Sequence, residues 1–272
     1  MQDLKLSLVQ ADLLWENIPG NLELISTLVD SIPSETDIVI LPEMFSTGFS
    51  MDPARFAAKN KSLGIPFMKE LAEKHEVAVC GSLILEDDGD FFNRLLFVTK
   101  SGEFVSYDKR HLFTFVGEEK HYSAGGEKLV IEFQGWRICP MVCYDLRFPV
   151  WSRNRLLEGD LEYDFLFYVA NWPERRRLAW RSLLRARAIE NLAFVAGVNR
   201  IGEDGNGISH SGDSALYDPL GSCLGEYTHQ QGVFNFLLSG TDLQECRERF
   251  GFWRDGDRFS YSDASSVFVK LN

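Results

Sequence analysis

Short apolar runs recur along the chain and alternate with helical patterns over much of its length. Several of these runs are rich in β-branched residues, which is typical of buried strands. We interpret the following as strands: 4–10, 37–42, 77–85, 94–100, 103–107, 128–133, 136–143, 164–170 and 194–200. Because strands that alternate with helices form parallel sheets, the pattern predicts an α/β domain.

Two of the intervening stretches have the periodicity of amphipathic helices. Residues 21–32 place apolar side chains on one stripe: Leu22, Ile25, Leu28, Val29 and Ile32. In residues 176–191 we predict a second stripe, made of Leu178, Leu183, Ala186 and Ile189. Each stripe is expected to face the sheet.

The turn residues predict that other strands are antiparallel. Asp88-Gly89 can supply the positive-φ turn of a hairpin between the neighbouring strands. Later strands, at 213–218, 222–227 and 232–238, are joined by turns such as Pro219-Leu220-Gly221. We therefore expect a more antiparallel second half, within one domain that spans 1–272 because no linker or repeat divides the chain.

Composition excludes several classes of protein. The net charge of -12, from 28 basic and 40 acidic residues, argues against a nucleic-acid partner. We interpret the short basic cluster at 174–177 as a solvated first turn of a helix. The apolar runs are too short to cross a membrane, and the N-terminal residues do not resemble a secretory signal. Five widely spread cysteines do not form a disulfide framework. The expected location is therefore the reducing cytoplasm.

Polar side chains that could do chemistry follow several predicted strands. Glu43 comes soon after the strand at 37–42, Lys109 follows the strand at 103–107, and Cys143 ends the stretch at 136–143. Asn171 and Trp172 follow the strand at 164–170. Since sites in open α/β folds gather at the carboxyl ends of strands, these residues are candidates for one site.

Cys143 has two interpretations. A lone cysteine is more often a small apolar core residue, but a thiol at the end of a strand can also be a nucleophile. A nucleophilic thiol needs a base, and His111 is the only plausible histidine. A buried carboxylate with a raised pKa can act instead, and Glu43 has an apolar setting. Lys109 would then stabilise the negative charge that develops.

Four segments, taken in order, resemble the nitrilase superfamily of carbon–nitrogen hydrolases. They are LPEMFSTGF, YDKRHLF, CYDLRFPVWSRN and ANWP. The residues of these segments are most similar to those of the omega-amidase branch. The resemblance implies a four-layer α-β-β-α sandwich and a Glu-Lys-Cys triad, which corresponds here to Glu43, Lys109 and Cys143.

The resemblance also implies supporting residues. A second glutamate precedes Gly125 and corresponds to Glu118, although Glu119 is adjacent and can be confused with it. The implied oxyanion donors are the backbone N–H of Tyr144 and the Lys109 ammonium. Asn171 and Trp172 are candidates for the pocket wall. Arg147 is a candidate for substrate binding or for an ion pair with Asp145, which could alternatively cap a helix that begins near Pro149.

The function that the resemblance implies is hydrolysis of the omega-amide of a short 2-oxo dicarboxylic acid, such as 2-oxoglutaramate, through a cysteine thioester. Alternatives are an N-carbamoyl amino acid amidohydrolase, an aliphatic nitrilase, a histidine-dependent thiol hydrolase and a catalytically inactive interaction module. The expected partners are a small-molecule amide and a second copy of the chain, with dimer contacts in the segment at about 240–272.

No metal or other cofactor is expected. The sequence has neither metal-ligand spacing nor a phosphate-cradling glycine loop, and each charge that develops has a candidate partner among the residues above. The far carboxylate of such a substrate would need a cation or several hydrogen-bond donors, but the sequence leaves the residue unidentified.

Overall fold

A computed structural model describes residues 1–157 and 159–271. The helices are α1 Ile18–Val29, α2 Pro53–Lys59, α3 Ile65–His75, α4 Pro149–Ser152, α5 Arg177–Asn191 and α6 Gly240–Arg249. The strands are β1 Leu4–Gln10, β2 Ile38–Ile40, β3 Ala78–Asp87, β4 Asp90–Val98, β5 Phe104–Asp108, β6 Glu127–Phe133, β7 Trp136–Val142, β8 Leu156–Leu157, β9 Asp160–Leu161, β10 Phe165–Ala170, β11 Phe194–Asn199, β12 Ile201–Glu203, β13 Ser209–Tyr217, β14 Cys223–Thr228, β15 Gly232–Leu238 and β16 Ser265–Leu271.

Two large mixed sheets form the centre of the fold. The first has the strand order β15-β1-β2-β3-β4-β5, with β1, β2 and β3 parallel. The second runs β12-β13-β11-β10-β7-β6-β16, with β14 paired to β13 and with β7, β10 and β11 parallel. The β3–β4 hairpin turns at Asp88 and Gly89, where φ is 51° and 88°. The parallel strands and this hairpin confirm the predictions from the sequence.

The two sheets pack face to face, with helices on their outer faces. Along β1, Leu4, Leu6 and Leu8 contact the second sheet, whereas Val9 packs with α1 and α3. The alternation follows from the period of two in a strand, which sends successive side chains to opposite faces. Since α5 covers the other face of the second sheet, the predicted four-layer α-β-β-α sandwich is confirmed.

The predicted apolar stripe of the α5 region is wrong at Leu178 and Ile189, whereas Leu183 of the same stripe packs against the core. Leu178 is 78% exposed and Ile189 is 48% exposed, while Trp180, Leu184 and Ala188 form the buried face. The buried face also carries polar side chains, including Arg187, which donates to the Leu146 carbonyl oxygen at 2.8 Å. Because these polar groups find partners far along the chain, hydropathy alone indicated the opposite face.

The carboxyl ends of β2, β5, β7 and β10 meet where the two sheets face each other. The first two strands belong to one sheet and the last two to the other.

The C-terminal strand β16 pairs with β6 of the same chain. None of the helices in 1–157 and 159–271 has the length and apolar character needed to cross a bilayer.

Candidate active site

Glu43 lies just beyond β2, and its buried carboxylate has a fixed orientation. One oxygen, Oε1, accepts from Asn93 Nδ2 at 2.7 Å and from Lys109 Nζ at 3.1 Å. The other, Oε2, accepts from the backbone N–H of Asn171 at 2.8 Å. Asn171 also donates its Nδ2 to the Glu43 carbonyl oxygen at 2.6 Å. Glu43 of the first sheet is therefore held by Asn171 of the second.

Lys109 directly follows β5 and lies between two carboxylates. Its Nζ is 2.9 Å from each carboxylate oxygen of Glu118, in addition to its contact with Glu43. Glu118 is fully buried and also accepts from the backbone N–H of Phe113, while Glu119 is exposed. The structure thus places Glu118, not Glu119, against the lysine.

These charges perturb one another. Burial raises the pKa of Glu118 above its ordinary value, although Lys109 opposes the increase. Burial alone would lower the pKa of Lys109, but the charges of Glu118 and Glu43 raise it above its ordinary value. Two carboxylates share one ammonium, so the cluster is short of positive charge and is poised to accept a proton.

Cys143 begins a short 3₁₀ turn immediately after β7, and its backbone is strained. Its φ is 44°, in the left-handed region that a residue with a side chain rarely adopts. Met44, next to Glu43, has the same φ of 44°. Such strain costs about 1–3 kcal/mol and is concentrated at functional sites. Here it turns both chain segments sharply as they leave their strands.

The thiol of Cys143 faces the charged cluster and keeps part of its surface open to a pocket. Burial, followed by the Glu43 carboxylate, raises the pKa of this thiol well above its ordinary value, and Lys109 opposes the increase. At rest this group is therefore a thiol, and it would have to lose its proton to act as a nucleophile.

Asp145 has a different role from either one predicted. It neither caps α4 nor pairs with Arg147. Its Oδ2 accepts from Tyr107 Oη at 2.7 Å and from the backbone N–H of Val142 at 3.1 Å. Its Oδ1 accepts from the backbone N–H of His111 at 2.9 Å and lies 2.8 Å from His111 Nδ1. This carboxylate joins the segment that carries Lys109 to the turn that carries Cys143.

His111 lies outside the pocket that contains Cys143. Its ring stacks on Phe148, with centroids 3.7 Å apart, and bonds to Asp145. The geometry therefore gives no support to His111 as the base for the thiol, since that imidazole would have to reach the sulfur.

The pocket beside Cys143 is partly open to solvent, and the space in and above it that no protein atom fills is about 580 Å³. The structure places the other predicted residues, Tyr144, Asn171, Trp172 and Arg147, on its wall. Trp172 is held by a bond from its Nε1 to the Arg176 carbonyl oxygen at 2.9 Å, and the Arg147 guanidinium lies over its ring at 4.9 Å. Every residue predicted for the site thus belongs to the cluster or to its pocket.

Sequence reasoning missed several residues of this site. Asn93 orients Glu43, and its signal was an amide in the middle of a largely apolar strand. Arg175 and Arg176 belong to the cluster interpreted as a solvated helical turn, yet both line the pocket. His210 also lines it, and burial, reinforced by Arg200, lowers the pKa of its imidazole to about 4. His210 is consequently neutral near neutral pH.

Comparison with known proteins connects this geometry to a family. A family model described as carbon-nitrogen hydrolase matches residues 5–248. Omega-amidase YafV of Escherichia coli (strain B / BL21-DE3) is 43% identical over 260 residues, which cover 95% of this chain and 99% of the relative. The 2-oxoglutaramate amidase of Bacillus subtilis is 32% identical over 246 residues, covering 89% of this chain and 92% of the relative.

A solved structure has nearly the same fold. XC1258 from Xanthomonas campestris, a CN-hydrolase superfamily protein with an arsenic adduct in its active site, superposes with a TM-score of 0.94. It is 44% identical, and the match covers 96% of this chain and 100% of XC1258. With the family model and these relatives in agreement over most of its length, the chain belongs to the carbon–nitrogen hydrolase family.

Proposed function

We propose that the protein is an omega-amidase that hydrolyses the terminal amide of a short 2-oxo dicarboxylic acid, such as 2-oxoglutaramate, to the acid and ammonia. The observation that carries the proposal is the meeting of Glu43, Lys109 and Glu118 beside the Cys143 thiol at one pocket. The names of the relatives from Escherichia coli and Bacillus subtilis support this substrate class.

In the first half-reaction, the Cys143 sulfur attacks the amide carbon while Glu43 takes the thiol proton. The backbone N–H of Tyr144 lies at the start of a 3₁₀ turn, where N–H groups have no acceptor within the turn, so it can donate to the oxyanion. Protonation of Glu43 weakens its bond from Lys109. The freed ammonium N–H then becomes available to the oxyanion as well.

Collapse of the tetrahedral intermediate breaks the carbon–nitrogen bond. Glu43 returns its proton to the leaving nitrogen, so ammonia departs and a thioester remains on Cys143. Asn171 Oδ1 is buried and has no hydrogen-bond partner among the described residues, which makes it available to an amide N–H of the substrate.

In the second half-reaction, Glu43 removes a proton from a water molecule that attacks the thioester. The intermediate expels the thiolate, which recovers the proton from Glu43, and the carboxylic acid is released. Lys109 and Glu118 stay paired throughout both steps. The pairing keeps the Lys109 ammonium in a fixed position near the oxyanion.

The test is ammonia release from a panel of four compounds: 2-oxoglutaramate, glutamine, an N-carbamoyl amino acid and an aliphatic nitrile. We expect the highest kcat/KM with 2-oxoglutaramate and none with Cys143→Ala. Cys223→Ala is the matched control because that thiol is exposed and far along the chain. Preference for the carbamoyl compound or the nitrile would replace the proposed function with another of the family. No turnover of any compound would favour an inactive interaction module.

We further propose that the protein is a homodimer of the reducing cytoplasm. Exposed Leu178 and Ile189 on α5 offer apolar surface to a second copy, and five free cysteines suit a reducing compartment. Light scattering after size-exclusion chromatography tests the assembly: a dimer is expected, and a monomer at micromolar concentration would contradict it.

A further inference from the structure

Three arginines form the outer wall of the pocket that contains Cys143. They are Arg147, Arg175 and Arg176. Across residues 1–157 and 159–271, no carboxylate forms an ion pair with any of them, whereas nearby Arg177 and Arg181 pair with Asp213 and Glu226. In a chain with a net charge of -12, a cationic wall of this kind is a local exception.

The other surroundings of this wall do not neutralise it. Asp204 is the acid that the described residues place on the same pocket wall; its Oδ1 accepts from the backbone N–H groups of Asn206 and Ile208, and it forms no ion pair with any of the three arginines. The N-terminus of the 15-residue helix α5 directly follows Arg176, and no side chain in the described part of the chain caps it. The positive end of that helix dipole therefore adds to the field of the guanidinium groups.

Arg176 is the most enclosed of the three. Its side chain is half-buried, while Arg147 and Arg175 are exposed. Its guanidinium lies 5.0 Å from the ring centroid of Phe113 and 5.3 Å from that of Phe115. Burial, followed by the charges of Arg175 and Arg147, lowers the pKa of Arg176. Such mutual repulsion is relieved when an anion binds among the three groups.

We propose that Arg176, oriented by Phe113 and Phe115 and assisted by Arg147 and Arg175, binds the carboxylate at the far end of the substrate. This inference rests on the proposed function, because it assigns the substrate's charged end to a residue of the same pocket. A planar guanidinium that is already oriented by aromatic rings can bind a carboxylate through two parallel hydrogen bonds. Recognition of that charge would make Arg176 a specificity-determining residue.

A matched pair of amides separates binding of the carboxylate from chemistry. Glutaramate, the monoamide of glutaric acid, carries the far carboxylate, and valeramide has a methyl group in its place. Arg176→Gln should lower kcat/KM for glutaramate and for 2-oxoglutaramate by about tenfold to a hundredfold, the range for a hydrogen bond to a charged group. Turnover of valeramide should stay within about twofold, because its binding has no ionic contact to lose.

Arg185→Gln is the control. Arg185 is an exposed arginine of α5 that lies over the Tyr217 ring at 5.5 Å and is absent from the pocket wall. This variant should leave the turnover of both amides unchanged. Arg176→Lys keeps the positive charge but loses the planar pair of N–H donors of the guanidinium. This variant should therefore retain part of the preference for glutaramate over valeramide. Binding of glutaramate to Cys143→Ala, with and without Arg176→Gln, gives a second readout that needs no turnover.

The outcomes distinguish this inference from the proposed function. If 2-oxoglutaramate is not a substrate but Arg176→Gln still weakens glutaramate selectively, the proposed function fails and the carboxylate site stands. Equal losses for glutaramate and valeramide, or no loss for either, would overturn the carboxylate site. A selective loss found with Arg147→Gln and not with Arg176→Gln would also overturn the assignment to Arg176.

Discussion

The Lys109 ammonium lies 2.9 Å from both carboxylate oxygens of Glu118 and 3.1 Å from one oxygen of Glu43. The ammonium has three N–H groups, so in the resting site the two glutamates share all of them. Glu118 therefore does more than neutralise the lysine, since its two oxygens fix the position from which Lys109 reaches Glu43.

The first prediction concerns this second glutamate. Glu118→Gln should lower kcat by about a hundredfold or more. Glu43 would then be the only carboxylate that holds Lys109, and this ion pair would compete with the action of Glu43 as a base. Glu119→Gln, one residue away and exposed, is the control and should keep wild-type kcat. Steady-state ammonia release measures both. Equal activity of the two variants would show that Glu118 does not contribute to kcat.

The second prediction concerns the pH dependence of the thiol. Lys109 lowers the pKa of Cys143, against the larger effects of burial and Glu43. Lys109→Ala should therefore raise that pKa further, so alkylation of Cys143 by iodoacetamide becomes slower and its pH profile moves to higher pH. The exposed lysine Lys120 provides the control variant, Lys120→Ala, which should leave the profile in place. An unchanged or lower pKa with Lys109→Ala would be inconsistent with this arrangement.

The third prediction concerns Asp145, which we describe as a positioning residue because it contacts no reacting atom. Asp145→Asn replaces an acceptor by an amide that cannot satisfy all four of its donors. We expect a loss of about 1–3 kcal/mol in the free energy of unfolding. We also expect a fall in kcat with little change in KM, because Lys109 and Cys143 lose their common anchor. Denaturant unfolding and steady-state kinetics measure the two effects.

Asp263→Asn is the matched control for Asp145. Asp263 forms a surface ion pair with Arg110, at 2.8 Å, and its side chain is 74% exposed. This variant should change neither stability nor kcat, since exposed ion pairs contribute about 0–1 kcal/mol. If Asp145→Asn lowered kcat and raised KM in the same proportion, the prediction would be contradicted. Asp145 would then affect substrate binding as well as the positions of Lys109 and Cys143.

The fourth prediction concerns a buried ion-pair network that joins β6 to the C-terminal strand. Glu162 Oε2 is 2.8 Å from Lys128 Nζ, and its Oε1 accepts from Arg155 and from Ser266 of β16. Burial would raise the pKa of Glu162, but Lys128, Arg155 and Ser266 lower it to about 2. Glu162→Gln leaves Lys128 unpaired and should cost about 3–5 kcal/mol of unfolding free energy at pH 7.

The pH dependence of this effect has a definite sign. Because the pKa of Glu162 is lower in the folded state, its carboxylate stabilises the fold above its ordinary pKa of about 4.3. That contribution is lost as the pH falls from this value towards 2, so the difference between wild type and Glu162→Gln should shrink there. Glu132→Gln, which breaks the exposed Lys270–Glu132 pair across the same two strands, should change stability by less than about 1 kcal/mol. A similar small loss for both variants would contradict the prediction.

The sequence predicted those features that local chemistry determines. Glu43, Lys109, Cys143 and Asn171 could be grouped because each follows a strand, and sites in open α/β folds gather at the carboxyl ends of strands. The resemblance to a known family then supplied the roles that position alone leaves open. The separation of Glu118 from Glu119 needed the structure, because only the three-dimensional arrangement decides which of two adjacent carboxylates is buried.

The sequence was misleading where a residue's environment comes from distant parts of the chain. Leu178 and Ile189 indicated the wrong face of α5, because Arg187 is buried through a carbonyl oxygen of the turn after Cys143. Arg175 and Arg176 have the composition of a solvated turn, yet the fold brings them to the pocket. Asp145 was assigned to local partners, whereas two of its four donors belong to His111, 34 residues earlier.

The covalent intermediate on Cys143 tests the central claim most directly. Wild-type protein, turning over 2-oxoglutaramate in chelator without added cofactor, is quenched with acid, digested and analysed by mass spectrometry. We predict an acyl adduct, with the mass of the substrate less ammonia, on the peptide that contains Cys143. Turnover with no adduct, with an adduct only on another cysteine, or only after a metal is restored would contradict the account.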